Sequence, residues 1–165
     1  MVDVKLRKIR NSDARDLQES MNSKEVIKWL NDCSYPYKLS DSKDYIKKSL
    51  ANKNSYEFAI LVDGDFAGTI VLENPNQGKK SYEVGYFVAK KYWGRGVATK
   101  ALKEICKFGF NKLELKRIWG GCVSDNKASL KVLEKSGFKL EGKTKCSTYK
   151  NGKYYDEVIY GKVRK

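Results

Sequence analysis

The segment with the clearest potential for chemistry is a strand-like run that leads through two glycines into an amphipathic helix. The run Glu83–Ala89 is followed by a basic loop with Gly94 and Gly96, where helical periodicity begins. The first amides of a helix have no intrahelical partners and together carry about half a positive charge. Glycines let a phosphate approach such amides closely. The segment therefore predicts a site for a phosphorylated anion, with Arg95 adding positive charge.

Other interpretations of this segment stay open from the residues alone. The glycines could simply make a tight turn between a strand and a helix. The sequence has no GxxxxGK[ST] loop of the kind found in nucleoside triphosphatases. Gly94–Thr99 ends in threonine where a dinucleotide-binding fingerprint needs glycine or alanine, so that site is not expected either.

Composition excludes several kinds of catalysis and points to an anionic partner. The 165 residues include no histidine, which excludes Ser–His–Asp and Cys–His catalysis and zinc sites that need imidazole. Lys plus Arg number 34 against 20 Asp plus Glu, a net charge of +14. Residues 1–80 hold 14 basic and 12 acidic side chains, whereas residues 81–165 hold 20 and 8. The second half should therefore attract polyanions, either nucleic acid or a phosphorylated cofactor.

The cysteines and the hydropathy pattern bear on the compartment. The four cysteines are widely spaced without a CxxC pair, and we expect reduced, mostly buried thiols: Cys33, Cys106, Cys122 and Cys146. No stretch approaches the roughly 18 apolar residues of a membrane span. The first residues lack the apolar core of a signal peptide. We therefore predict a cytoplasmic protein with no membrane association and no metal site.

Periodicity predicts the elements that must position the glycine segment. We expect strands over residues 4–7, 56–62, 66–72, 82–89, 118–123, 139–150 and 154–163. Helices are expected after Ser12-Asp13, over residues 26–30, from a cap at Ser40, and over residues 96–108 and 126–136. Asp63-Gly64-Asp65 and Asn151-Gly152 are hairpin signals. Residues 1–165 are predicted to form a single mixed α/β domain.

The loop itself resembles a known cofactor-binding motif. Trp93-Gly94-Arg95-Gly96-Val97-Ala98 is similar to the acyl-CoA pyrophosphate loop of the GNAT superfamily of N-acetyltransferases, whose pattern is Arg/Gln-x-x-Gly-x-Gly/Ala. The one departure is Trp93 in place of the leading Arg or Gln, a replacement common in the Rim-type branch, which is named for the N-terminal acetylation of ribosomal proteins.

Three more stretches resemble that branch, and with the loop they span essentially the whole chain in the right order. They are Leu6–Arg10 with Asp13–Leu17, Asn126-x-x-Ser129 through Lys135-Ser136-Gly137-Phe138, and Asn151–Asp156 ending in Tyr160-Gly161. The resemblance implies an α/β (α+β) fold. Its mixed, mostly antiparallel seven-stranded sheet would be splayed between strands 4 and 5 and flanked by helices.

The resemblance also implies acetyl-CoA as co-substrate in the gap of the splayed sheet. The end of the fourth strand, at Phe87, Val88 and Ala89, would bind the pantetheine arm through its backbone. The pyrophosphate would be held by the amides of Arg95, Gly96, Val97, Ala98 and Thr99. Asn126 could contact pantetheine or cap its helix, and both roles are compatible.

The implied reaction is direct attack of a primary amine on the acetyl thioester. Ser129 matches the serine that Rim-type enzymes place near the CoA sulfur, where it would donate to the departing thiolate, although serine in a first helical turn often satisfies free backbone groups. Backbone amides near Val88 would stabilise the oxyanion. With histidine absent, a carboxylate, a tyrosine or water must take the amine's proton, and Glu83 is the first choice.

The acceptor is the least determined part of the reaction. Deprotonation at pH 7 costs about 1 kcal/mol for an α-amine and about 4.6 kcal/mol for a lysine, so a weak base favours a protein N-terminus. An antibiotic or polyamine acceptor, or a non-catalytic module that binds CoA or RNA, remains open, although the net charge disfavours a polyamine. We expect a groove lined by Trp29, Tyr35, Tyr37 and Tyr149, a monomer or homodimer, and possible ribosome association.

Overall fold

Seven strands form one mixed sheet in the computed structural model, which describes residues 2–165. The strands are β1 (Val4–Lys8), β2 (Tyr56–Val62), β3 (Asp65–Glu73), β4 (Ser81–Val88), β5 (Arg117–Val123), β6 (Lys139–Lys150) and β7 (Lys153–Val163). The helices are α1 (Ala14–Met21), α2 (Lys24–Ile27), α3 (Leu39–Ala51), α4 (Val97–Asn111) and α5 (Lys127–Lys135). The spatial order is β1-β2-β3-β4-β5-β7-β6. Every neighbouring pair is antiparallel except β4 with β5, which confirms the predicted mixed, mostly antiparallel sheet.

Two hydrophobic layers hold the helices against opposite faces of the sheet. Leu17 of α1 and Ile46 of α3 are fully buried in a cluster on one face. Leu102 and Ile105 of α4 and Leu133 of α5 are fully buried on the other. Each such side chain contributes about 1.5–3 kcal/mol when it is removed from water. The 3.6-residue period of the helices and the two-residue period of the strands direct these residues into the layers.

The predicted boundaries are accurate for the hairpins and less so for two helices. The β6–β7 turn has Asn151 at φ 50° and Gly152 at φ 81°, as a two-residue hairpin requires. α2 ends at Ile27, short of the predicted Leu30. α3 begins at Leu39, so the prediction of Ser40 as its cap is wrong. The carboxylate of Asp41 instead accepts the backbone N–H of Lys38 at 2.7 Å, which satisfies the amide in front of the helix.

The cysteines are free thiols in the described chain, and two of the four are buried. Cys106 and Cys122 lie in the core, Cys33 is half-buried and Cys146 is exposed, so the expected burial holds for only two. Among residues 2–165, no helix is both long and apolar enough to span a membrane.

Candidate active site

β4 and β5 separate after a short stretch of parallel pairing. Only three residue pairs are in register, from Ser81 with Arg117 to Glu83 with Trp119. Beyond them the two strands share no further pair within residues 2–165, and a gap opens in the sheet. This confirms the implied splay between the fourth and fifth strands, because a ladder that ends early leaves the backbone groups beyond it without partners.

Alternation along β4 decides which backbone groups face this gap. Ala89 donates its N–H to the Ala67 carbonyl at 2.7 Å, so Phe87 and Ala89 point their polar groups toward β3. Tyr86 and Val88 consequently direct their amides into the gap. Of the three residues expected to offer backbone groups to a cofactor, only Val88 directs its amide into the gap, and the side chain of Phe87 lines the cavity.

The two glycines after β4 adopt the left-handed conformation. Gly94 has φ 72° and Gly96 has φ 74°, and α4 begins at the next residue, Val97. Such φ values cost other residues roughly 1–2 kcal/mol, which explains glycine at both positions. A Cβ atom at either glycine would meet no protein atom within 4 Å, so the space beside the loop is open.

The amides that follow the bend have no acceptors inside the protein. Within the described residues, no hydrogen bond engages the backbone N–H groups of Arg95–Thr99, and the first amide of this region with a partner is that of Lys100, which bonds the Gly96 carbonyl at 3.1 Å. These groups lie at the positive end of a 15-residue helix. The arrangement suits a phosphate or pyrophosphate.

Two side-chain contacts stabilise the loop between β4 and α4. The Trp93 indole donates Nε1–H to the Val88 carbonyl at 2.7 Å and thereby joins the loop to the end of β4. The Arg95 guanidinium lies 5.6 Å from the ring centroid of Tyr92, within the range of a cation–π contact. Trp93, which replaces the leading Arg or Gln of the motif, thus has a structural role because it connects the loop to β4.

A cavity of about 760 Å³ passes through the open gap and reaches both faces of the sheet. The Phe87 side chain packs toward α1–α3. Its neighbour Tyr86 reaches the opposite face, where its hydroxyl meets Ser129 of α5. We call the first side the α1–α3 face and the second the α5 face. Two reactants could therefore approach each other from opposite sides.

Ser129 lies on the α5 face, where its hydroxyl contacts that of the half-buried Tyr86. Its oxygen is 2.9 Å from the Tyr86 hydroxyl oxygen. The Asn126 side chain accepts the Ser129 backbone N–H at 3.3 Å, so Asn126 caps α5 and fixes the turn that carries the serine. Burial raises the pKa of Tyr86 to about 12, and its phenol stays protonated at neutral pH. Tyr86 can donate to Ser129, which leaves the serine proton for a third group.

Glu83 lies on the α1–α3 face, beside a second carboxylate. Its Oε2 accepts Nδ2–H of Asn74 at 2.7 Å. Glu73 pairs with Glu83 across β3 and β4. Burial, together with the charge of Glu83, raises the pKa of Glu73. Both carboxylates line the same cavity as Ser129.

The cavity is acidic although the protein is strongly basic. One cationic side chain, Lys48, contributes to its walls. Six carboxylates do so: Asp32, Asp41, Asp44, Glu73, Glu83 and Glu157. Such a lining attracts positively charged groups.

Two of the four aromatic residues expected in the groove are there. Trp29 and Tyr37 line the cavity, and Trp29 packs edge-on against Tyr155 of β7 at 5.5 Å. Tyr35 and Tyr149 are exposed and contribute no wall. Tyr149 packs instead on Tyr154 across the hairpin, at 5.0 Å. No group of three or more potential metal ligands is found within residues 2–165.

Comparison with known families gives this geometry its context. The acetyltransferase (GNAT) domain model matches residues 3–139. The chain belongs to the GNAT family of acetyltransferases. As a GNAT protein it is an N-acetyltransferase, and its similarity to known members covers almost its whole length.

Three GNAT proteins illustrate that similarity. The putative ribosomal N-acetyltransferase YdaF of Bacillus subtilis is 30% identical, over 98% of this chain and 92% of the relative. Spermidine N(1)-acetyltransferase of Escherichia coli is 26% identical, over 94% and 83%. Mycobacterium smegmatis RimJ, solved with a CoA disulfide, superposes with a TM-score of 0.89 at 25% identity, covering 97% of this chain and 81% of the other. The Rim-type resemblance is supported, and the acceptor differs among these relatives.

Sequence reasoning missed several residues of this GNAT site. In the sequence Tyr86 is one residue of a predicted strand, and its contact with Ser129 spans 43 positions. Glu73 and Glu157 reach the cavity from β3 and β7. The two-residue alternation of β4 implies that the backbone groups of Val88 point the opposite way from those of Phe87 and Ala89. Which of the two sets faces the gap can be said only after the direction of one backbone group is known.

Proposed function

We propose that this GNAT protein transfers an acetyl group from acetyl-CoA to a protein N-terminal α-amine. Acetyl-CoA would supply an activated acetyl thioester to the gap between β4 and β5. The unpaired amides of Arg95–Thr99, in the loop that joins β4 to α4, carry the proposal. They offer an unsatisfied, positively polarised surface for the pyrophosphate.

The gap also has donors for the charge that develops during acyl transfer. The backbone N–H groups of Tyr86 and Val88 point into it, and Val88 is the donor foreseen at the strand end. Oriented amides of this kind stabilise an oxyanion without reorganising during the reaction. Asn126 would bind pantetheine with donor groups that its capping bond leaves free.

Ser129 is proposed to donate its hydroxyl proton, or a hydrogen bond, to the departing thiolate. Its contact with the protonated Tyr86 phenol supports this role, because Tyr86 can donate to Ser129 while Ser129 donates elsewhere. A charge-assisted hydrogen bond of this kind is about twice as strong as a neutral one.

Glu83 is proposed to take the proton from the attacking amine, directly or through water. The Asn74 bond holds one carboxylate oxygen and leaves the other available. Glu83 and Ser129 line one cavity from opposite faces of the sheet, so Glu83 would meet the amine on one side and Ser129 the thioester sulfur on the other.

An α-amine is favoured as acceptor because it loses its proton more readily than a lysine side chain. The similarity to a putative ribosomal N-acetyltransferase and to RimJ supports the same choice. We further propose that residues 1–165 act as a single cytoplasmic domain, as a monomer or homodimer. Its basic half would be suited to a substrate carried on a ribosome.

Thiol release from acetyl-CoA, followed with DTNB, tests the proposal with two matched peptides. One has a free α-amine and an acetylated lysine, and the other has an acetylated α-amine and a free lysine. The first should accelerate release and gain the mass of one acetyl group. Binding of acetyl-CoA without acceleration by any amine would leave only a CoA-binding module. Thermal stabilisation by RNA and not by acetyl-CoA would contradict the transferase.

A polyamine is the second candidate, because six carboxylates against one lysine line the cavity. This local charge outweighs the net +14 of the whole chain, which first argued against a cationic acceptor. Spermidine assayed beside the free α-amine peptide decides between them. A kcat/KM for spermidine at least tenfold above that of the peptide would replace the N-terminal acceptor with a polyamine.

A further inference from the structure

Glu157 lies on the α1–α3 face, the side of the sheet opposite Ser129. Residues 155, 157 and 159 of β7 share one face. Trp29 packs on Tyr155 from that face. Tyr160 points to the other, where its hydroxyl donates to Glu134 of α5 at 2.9 Å. Glu157 therefore reaches the cavity from the side occupied by Glu83, but on the β5–β7 wall of the gap.

Two features hold the Glu157 carboxylate in place. Thr148 of β6 donates its hydroxyl to Oε2 at 2.9 Å. The other oxygen, Oε1, lies against Gly121 of β5, only 2.5 Å from where a Cβ atom of that residue would be. Glycine at position 121 thus makes room for the carboxylate. Within residues 2–165, Oε1 accepts no hydrogen bond and remains available to a ligand in the cavity.

An irregularity in β6 brings Thr148 to this position. The register with β7 shifts between Thr144 and Thr148, so β6 bulges opposite Asp156. Asp156 accepts the N–H of Cys146 at 3.0 Å. This backbone bond, with Lys143 and Lys145 nearby, lowers the pKa of Asp156 to about 2. A bulge that re-aims a side chain is often found beside active sites.

The opposite wall carries carboxylates in a matching position. The Glu73 carboxylate lies against Gly85 of β4, where a Cβ atom would be 3.6 Å from Oε1. Each wall of the gap thus has a glycine on the strand that borders the gap, β4 or β5. The carboxylate beside that glycine comes from the adjacent strand farther from the gap, β3 or β7. A cation between the walls would be attracted from both sides, and a neutral molecule would gain nothing from this arrangement.

We propose that Glu157, positioned by Thr148 and Gly121, holds the ammonium group of the acceptor on the β5–β7 wall and so sets the preference of the enzyme for cationic amines. This role rests on the proposed acetyltransferase function at the same site. It differs from the role of Glu83, because Glu157 binds the charged acceptor before the proton is removed.

Glu157→Gln is the direct test, with Glu141→Gln as the matched change on the same hairpin but outside the cavity. The probes are the free α-amine peptide, spermidine, and trifluoroethylamine, which is too weakly basic to be charged near neutral pH. In Glu157→Gln, the KM of the better cationic probe should rise about 10- to 100-fold, with a smaller change in kcat. The KM for trifluoroethylamine and the Kd for acetyl-CoA should stay unchanged, and Glu141→Gln should match the wild type.

Two further variants separate positioning from folding. Thr148→Val removes the hydroxyl at similar volume, and Gly121→Ala places a methyl group only 2.5 Å from the Oε1 atom of Glu157. Each should raise the KM for the cationic probe about 3- to 10-fold while the melting temperature remains close to that of the wild type. These variants decide the question if Glu157→Gln fails to fold.

The proposal is overturned if Glu157→Gln loses equal activity toward charged and uncharged amines, if its kcat falls at constant KM, or if neither kinetic constant changes. If the wild type acetylates no amine, the proposed function fails. Calorimetric binding of spermidine in the presence of CoA then still decides the role of Glu157. An unchanged Kd in Glu157→Gln would contradict it, and a Kd about tenfold weaker would support it.

Discussion

At the scale of single residues, the hydroxyl pair of Ser129 and Tyr86 is the most direct link between structure and proposed chemistry. Ser129→Ala should lower kcat about tenfold, because the thiolate loses a charge-assisted donor, and leave the Kd for acetyl-CoA unchanged. Tyr86→Phe should give a smaller loss, since Ser129 would remain. Stopped-flow thiol release and calorimetry measure the two quantities. An unaltered kcat in Ser129→Ala would remove it from the mechanism.

Glu83 allows a second test at this scale. Glu83→Gln cannot accept a proton, so the rate of acetylation should fall about 10- to 100-fold near pH 7. The deficit should shrink at higher pH, where more of the amine is already unprotonated. A rate–pH profile from about pH 6 to 10 measures this, with exposed Glu104→Gln as the control. A deficit independent of pH would assign Glu83 a role other than proton transfer.

At the scale of elements, the bend between β4 and α4 must keep its amides exposed. Gly96→Val should weaken acetyl-CoA binding by tenfold or more, because the side chain enters the open space and strains φ 74°. Gly152→Val is a matched control, since Gly152 has φ 81°, also has no atom near its Cβ position and does not line the cavity. Both should lose similar stability, but only Gly96→Val should lose affinity by calorimetry. Equal affinities would mean that the phosphates bind elsewhere.

The packing of α3 on β2 and β3 predicts a pH-dependent stability. Glu57 of β2 is buried and accepts the Tyr45 hydroxyl at 2.8 Å. Burial raises its pKa to about 7. Between the unfolded value and this one, the folded protein binds the additional proton, so the free energy of unfolding falls as pH rises through that window.

Glu57→Gln should abolish this loss. Relative to the wild type, the variant should gain more stability at about pH 8 than at about pH 5, by up to roughly 3 kcal/mol. Urea denaturation at the two pH values measures the difference. Glu141→Gln is the control: Arg117 lowers the pKa of Glu141, so this carboxylate is ionised at both pH values and the effect of its substitution should be nearly the same at each. A stability difference between Glu57→Gln and the wild type that is the same at both pH values would refute the assignment.

At the scale of the whole molecule, the charges are divided between a basic surface and an acidic cavity. Residues 81–165, which include the loop proposed to bind the pyrophosphate, have a net charge of +12. Acetyl-CoA binding should therefore weaken as ionic strength rises from about 0.05 to 0.5 M, because exposed charges are screened. Dephospho-CoA, with less negative charge, should show a shallower salt dependence in calorimetry. Identical dependences would mean that the basic surface does not contribute to binding.

The part of the site that lies in one segment of sequence was predictable. The loop from Trp93 to Thr99, the strand before it and the helix after it follow from local rules of glycine conformation and helix ends. The acidic cavity was not predictable in this way, because its carboxylates come from α3, β3, β4 and β7 and from the turn before α3. The net charge of the chain argued against a cationic acceptor, because a sum of charges does not show where the individual charges lie.

Periodicity, composition and backbone preference are local properties, so the amino-acid order was enough to predict the succession of strands and helices, the lack of histidine chemistry and the glycine loop before α4. Three relations became visible only in the folded protein: Tyr86 meets Ser129, Val88 rather than Phe87 or Ala89 directs its amide into the gap, and Glu157 lies across the gap from Glu83. These relations depend on which strands pair, where β4 leaves β5 and how β6 bulges. Such long-range contacts are set by packing and hydrogen bonding across the whole sheet.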